Sequence, residues 1–109
     1  MFKCTACGYI FDGETAPAVC PKCGAVQEKF EKLTDEAKGL VEKARFTNDL
    51  HMHLLAILQE CEAIAADGTE DNLDPGCVKI FSQTKEMSSQ VIQSIKAELA
   101  AHVSKGKWG

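Results

Sequence analysis

No apolar run in this chain approaches the roughly 20 residues needed to cross a bilayer, so no membrane-spanning helix is expected. An excess of positive charge is missing too. The 12 Lys+Arg are outnumbered by 16 Asp+Glu, giving a formal net charge of −4, which speaks against a nucleic-acid-binding surface. The N-terminus lacks the apolar h-region of a secretory signal, because Cys4, Cys7 and Gly8 stand where it would lie. A cytoplasmic protein is expected. The 109 residues suffice for one domain, or for a small module joined to a second, and not for a large enzyme with its own cofactor domain. Wholesale disorder is excluded, since 45% of residues are hydrophobic and 26% charged, close to ordinary soluble usage. What the chain does have in quantity is cysteine: six in all.

Four of the six fall within the first 23 residues, as Cys4, Cys7, Cys20 and Cys23, while Cys61 and Cys77 stand alone. Composition also changes near Phe30. Two of the three prolines, both Cys-x-x-Cys pairs and three of the eight glycines precede it. A long stretch rich in Ala, Leu, Glu, Lys and Gln follows, interrupted by D-G-T-E-D-N-L-D-P-G at 67–76. This divides the chain into a loop-rich module at 1–33 and a helical part at 34–109. The first holds four lysines and four acids, so the whole −4 belongs to the second. The acids of 67–76 read as a solvated turn.

The early cysteines read C-T-A-C at 4–7 and C-P-K-C at 20–23. Two such pairs about a dozen residues apart are a strong metal signal. Each pair forms a tight knuckle that presents two sulfurs to one ion, and the second knuckle closes a tetrahedron. Gly8 and Gly24 follow the pairs directly. Glycine accepts positive φ, which lets the backbone curl and aim N–H groups at the thiolates. Two disulfides would require an oxidising compartment, for which there is no targeting signal. A redox dithiol would sit at a helix start in a βαβ unit, and no such unit is evident.

Residues 4–33 carry C-x-x-C-G-Y at 4–9, D-G-E-T-A-P at 12–17, C-P-x-C-G at 20–24, and Phe30 followed by Glu31 and Leu33. This segment resembles the rubredoxin-like domain of rubrerythrins. The resemblance implies a short-β ribbon with Cys4, Cys7, Cys20 and Cys23 as ligands of one iron that passes single electrons. It also implies a small aromatic core of Tyr9, Phe11 and Phe30 beside the metal. The longer inter-knuckle segment and core tryptophan of free rubredoxins are absent, so the likeness is to the short, rubrerythrin type. Spacing alone leaves zinc open, because a tetrahedral four-sulfur site suits both metals. The G-Y and D-G-E-T-A-P elements favour iron. With four thiolates and iron the protein would carry about −5 or −6. A 33-residue module buries too little apolar surface to fold unaided, so the metal is expected to hold it together.

In the helical part, Thr34 is the expected N-cap, with Asp35 and Glu36 favoured by the helix dipole. The helical pattern runs to about Ala66. A break at Gly39 or at Thr47-Asn48-Asp49 is expected, giving a main helix from about 47 to 66 with Leu50, Leu54, Leu55, Ile57, Leu58, Cys61 and Ile64 as its apolar stripe. Asp74-Pro75 should start a second helix. Its stripe is Ile80, Phe81, Thr84, Met87, Val91, Ile95, Leu99 and Val103, and Gly106 caps its C-terminus. The ten-residue turn makes an antiparallel hairpin. More apolar surface is present than one partner helix covers, which predicts a homodimer with a four-helix bundle.

Rubrerythrins join their rubredoxin-like domain to a bundle with Glu-x-x-His motifs for a di-iron site. No glutamate here has histidine three residues on, and the nearest spacing is Glu98 to His102. The order is also reversed, with the cysteine module first. The peroxidase activity of that family is therefore not expected, and no catalytic residue is identified. His51, His53 and His102 read as half-buried stripe-edge residues rather than ligands of a second cofactor. Glycine rather than histidine follows each Cys-x-x-Cys pair, which excludes covalent haem. Cys61 and Cys77 read as buried reduced thiols, and Trp108 as a residue that docks on the bundle or frays. The expectation is a small electron carrier with a redox partner protein, not an enzyme. The alternative is a zinc ribbon with a purely structural or interaction role.

Overall fold

The computed structural model describes all 109 residues. Its elements in chain order are β1 (Phe2–Cys4), β2 (Ile10–Phe11), a 3-10 turn at Gln27–Lys29, β3 (Phe30–Lys32), α1 (Asp35–Asp71) and α2 (Pro75–Ser104). They fall into two compact units, Met1–Arg45 with Gly106–Gly109, and Phe46–Lys105. No helix is long and apolar enough to cross a membrane.

The first unit is built on a three-stranded antiparallel sheet in the order β2-β1-β3. β1 pairs Phe2 with Phe11 on one side, and Cys4 with Phe30 on the other. An isolated bridge between Val19 and Val26 closes the second knuckle. Cys4, Cys20 and Phe30 are the buried residues, with Phe2, Tyr9 and Phe11 packed against them. The expected aromatic core is therefore present, with Phe2 added because β1 carries it to the same cluster. Thr34 caps α1 as expected, its Oγ1 accepting the Ala37 N–H at 3.2 Å. The C-terminal tail belongs to this unit. Arg45 Nε donates to the Gly109 carbonyl at 2.7 Å, and Arg45 Nη2 meets Asp12 Oδ1 at 2.9 Å.

The second unit is an antiparallel helical hairpin. Here the structure corrects three expectations. First, α1 is a single helix of 37 residues, about 55 Å long at 1.5 Å per residue. Gly39 costs the helix only about 1 kcal/mol. Asn48 turns inward, 3% exposed, instead of capping a new helix. Second, the connection is three residues, not ten. The helix passes through Asp67-Gly68 and ends at Asp71, where Asn72 takes φ 51°. Gly68 lies within the helix, and the Phe81 ring packs where a Cβ would stand. α2 begins as expected, with Asp74 Oδ1 accepting the Cys77 N–H at 2.8 Å and Pro75 in the first turn.

Third, the seam between the helices is not the expected stripe. Leu58, Ile92 and Ile95 form its apolar centre, with Leu55, Val91 and Leu99 beside them. The rest of the seam is small or polar: Asn48, Ala65, Ser88 and His102 are all buried. Asn48 Oδ1 lies 2.6 Å from His102 Nδ1, and Ser89 bonds Glu62. Of the expected stripes, Leu50, Leu54, Ile57, Ile64, Ile80, Met87 and Val103 are exposed. Helical periodicity located an apolar arc but did not say which edge of it meets the neighbouring helix.

Candidate metal centre

The two knuckles are the same structure built twice. In the first, Gly8 N–H donates to the Cys4 carbonyl at 2.8 Å and Cys4 N–H to the Tyr9 carbonyl at 2.9 Å. In the second, Gly24 N–H donates to the Cys20 carbonyl at 2.9 Å and Cys20 N–H to the Ala25 carbonyl at 2.8 Å. Each curl depends on its glycine in the left-handed region, with φ 78° at Gly8 and 73° at Gly24. The leading cysteine of each knuckle is buried, Cys4 at the end of β1 and Cys20 beside the Val19–Val26 bridge. The trailing cysteines are nearer the surface, Cys7 half-buried and Cys23 exposed. Thr5 ties the first knuckle to the 3-10 turn, its N–H and hydroxyl both donating to the Lys29 carbonyl, at 2.8 and 2.9 Å. Gln27 Nε2 to the Ala16 carbonyl at 2.6 Å fastens the intervening loop.

The four Sγ atoms all lie within 4.8 Å of one another. Cys4 pairs across the site with Cys23 at 3.8 Å, and Cys7 with Cys20 at 3.7 Å. Bonds of about 2.3 Å to a tetrahedral ion give sulfur–sulfur edges of about 3.8 Å. The donor set and its spacing therefore fit one tetrahedral metal. Disulfide spacing is about 2.05 Å, so these pairs are not disulfides, and all six cysteines are free.

The electrostatics point the same way. Burial raises the Cys20 pKa, but N–H donors from Cys23 and Lys22 prevail and bring it down to about 7. At Cys23 the Ala25 N–H favours the thiolate, but the neighbouring thiols, Cys7 foremost, push its pKa up to about 12. One sulfur thus gives up its proton readily while another holds on. A cation among them would favour the thiolate form of all four.

The model described as the rubredoxin-like domain of rubrerythrin matches residues 2–31. This segment is a rubrerythrin-type rubredoxin-like domain. It is also 56% identical over 35 residues to rubrerythrin-1 of Clostridium acetobutylicum, covering 32% of the chain and 18% of that protein. Similarity reaches beyond the rubredoxin-like domain in a second relative. Reverse rubrerythrin-1 of the same organism is 32% identical over 79 residues, 72% of the chain and 39% of that protein. The chain thus spans well under half the length of the curated relatives it matches. No solved structure matches it.

The other residues considered from sequence belong to the helical hairpin. His102 is buried, held by Asn48 at Nδ1 and by Glu98 Oε1 at 3.2 Å from Nε2. His51 is half-buried, with its ring edge-on to His102 at a centroid distance of 6.5 Å. His53 is exposed. The cysteine tetrad is the one cluster of metal-ligating side chains in the structure. Cys61 and Cys77 are half-buried rather than buried, and Cys77 Sγ donates to Asp74 Oδ2 at 3.4 Å. The Asn48–His102 pair was not read from sequence. A polar residue recurring among seam positions of a helix was its only trace.

Proposed function

We propose that the protein is a one-electron relay in which Cys4, Cys7, Cys20 and Cys23 hold a single iron. The observation that carries this reading is the closed four-thiol cage within a rubrerythrin-type rubredoxin-like domain. When bound, the iron supplies a ferric/ferrous couple. Four thiolates complete the tetrahedron and leave no open position for a substrate, so the site relays electrons without transforming a molecule. The N–H donors aimed at Cys20 and Cys23 spread negative charge off the sulfurs, which favours the reduced, more negative state and raises the potential. Cys23 is the exposed ligand, so a redox partner protein would meet the site on the Cys7/Cys23 side. The thiolates call for a reducing compartment, and the cytoplasm provides one.

Metal analysis with a visible spectrum tests this. Protein purified from iron-replete cells should be red, contain one iron per chain and bleach with dithionite. Colourless protein with one zinc per chain would overturn the redox reading and leave a structural zinc ribbon.

A further inference from the structure

We propose that Lys22 is a charge-compensating residue of the four-thiol cage, one that favours the more negative, ferrous state over the ferric. That role rests on the protein being an iron relay, whose potential the lysine would help to set. The two knuckles, C-T-A-C-G at 4–8 and C-P-K-C-G at 20–24, contain one charged side chain between them, and that is Lys22. The first knuckle has Ala6 at the matching position. The two halves of the cage are therefore alike in backbone and unlike in charge.

The geometry gives this charge its place. Lys22 belongs to the second knuckle, yet its Nζ donates to the Cys7 carbonyl of the first, at 3.4 Å. The side chain thus crosses between the residues that bear the two more accessible sulfurs, half-buried Cys7 and exposed Cys23. Its backbone N–H serves the same cage, as one of the donors to Cys20. No carboxylate neutralises the ammonium. The salt bridges of the structure are elsewhere, at Lys38–Glu42, Arg45–Asp12 and His102–Glu98.

Electrostatics then fixes the sign. Four thiolates carry a net −1 with ferric iron and −2 with ferrous iron. Reduction adds one electron, supplied by a redox partner protein in the cell or by an electrode, and no bond to sulfur forms or breaks. A fixed positive charge beside the cage stabilises the −2 state more than the −1 state, which raises the potential. Lys22 is exposed, so water and salt weaken the effect. It should amount to roughly two- to tenfold in the ferrous/ferric ratio per unit charge. A zinc cage also carries −2, so the same lysine should slow its loss of metal. A purely structural strap would need only a hydrogen-bond donor to the Cys7 carbonyl, and a neutral amide can supply one.

Voltammetry on the iron-loaded full chain tests the role with a charge series. At the wild-type midpoint, Lys22→Gln should lower the ferrous/ferric ratio by roughly two- to tenfold, and Lys22→Glu by about the square of that factor. Lys22→Arg should match the wild type, and added salt should shrink the differences. Equal potentials in all four proteins would overturn the proposal, as would an arginine variant that falls as far as the glutamine one. Release of zinc from the zinc-loaded full chain to a chromogenic chelator ranks the same proteins without any redox step. The glutamine variant should release zinc several-fold faster than wild type, the glutamate variant faster still, and the arginine variant at the wild-type rate. A flat series there would refute the role of Lys22 and leave the iron relay standing. A chain that purifies with zinc in place of iron would refute the relay and leave the zinc-release ranking as the measure of Lys22.

Discussion

Stripping the metal from the reduced protein with a strong chelator should unfold the ribbon and leave the hairpin helical. Of the three buried residues in the ribbon core, Cys4 and Cys20 belong to the four-thiol cluster proposed to hold the metal, and only Phe30 lies outside it. The strands are two or three residues long, so their ladder is no substitute. A tetrahedral thiolate metal is worth about 10–16 kcal/mol of folding free energy in small domains. That equals or exceeds the roughly 5–15 kcal/mol by which whole domains are stable, so its loss decides the outcome. The helices provide an internal control. α1 and α2 hold 37 and 30 residues, and only the 11 from Asp35 to Arg45 belong to the ribbon's unit. Ellipticity at 222 nm should therefore fall by no more than about one-sixth, the share of helical residues that the ribbon's unit holds. Amide resonances of Cys4, Val19, Val26 and Phe30 should collapse to random-coil positions in the same sample. Cys23→Ser should do the same more mildly, since three thiolates remain. A metal-free protein that keeps dispersed ribbon resonances would refute the argument, and so would one that loses most of its helix.

Two glycines in α1 should respond to alanine with opposite signs. At Gly39 a Cβ meets open space, so Gly39→Ala should stabilise by about 0.5–1 kcal/mol in urea unfolding. At Gly68 the Cβ would overlap the Phe81 ring, so Gly68→Ala should destabilise by about 1–3 kcal/mol. The Asp74 carboxyl is held below the usual carboxylate range, chiefly by the Cys77 N–H and also by its thiol. Its contribution should therefore be complete above the unfolded carboxylate pKa of about 4 and disappear as pH falls through the lower folded value. A thermal-melt series should show Asp74→Ala less stable than wild type at pH 7, and the gap closing in acid.

The four-thiol cluster was legible in the sequence because its geometry is local. Cys-x-x-Cys-Gly fixes each knuckle within five residues, and duplication of that pattern supplies the second half of the cage. The N-caps at Thr34 and Asp74 were legible for the same reason: a side-chain oxygen acts on an N–H three residues away. The sequence by itself thus determined a ribbon with four converging sulfurs, two helices and the start of each. Tertiary structure decided the rest. Whether Asn48 and Gly68 interrupt a helix depends on what faces them, and Asn48 meets His102 while Gly68 lies beneath Phe81. Which edge of a wide apolar arc becomes the seam depends on how closely two helices approach. There the small residues Ala65 and Ser88 prevailed, while Ile57, Ile64, Ile80 and Met87 were left facing outward.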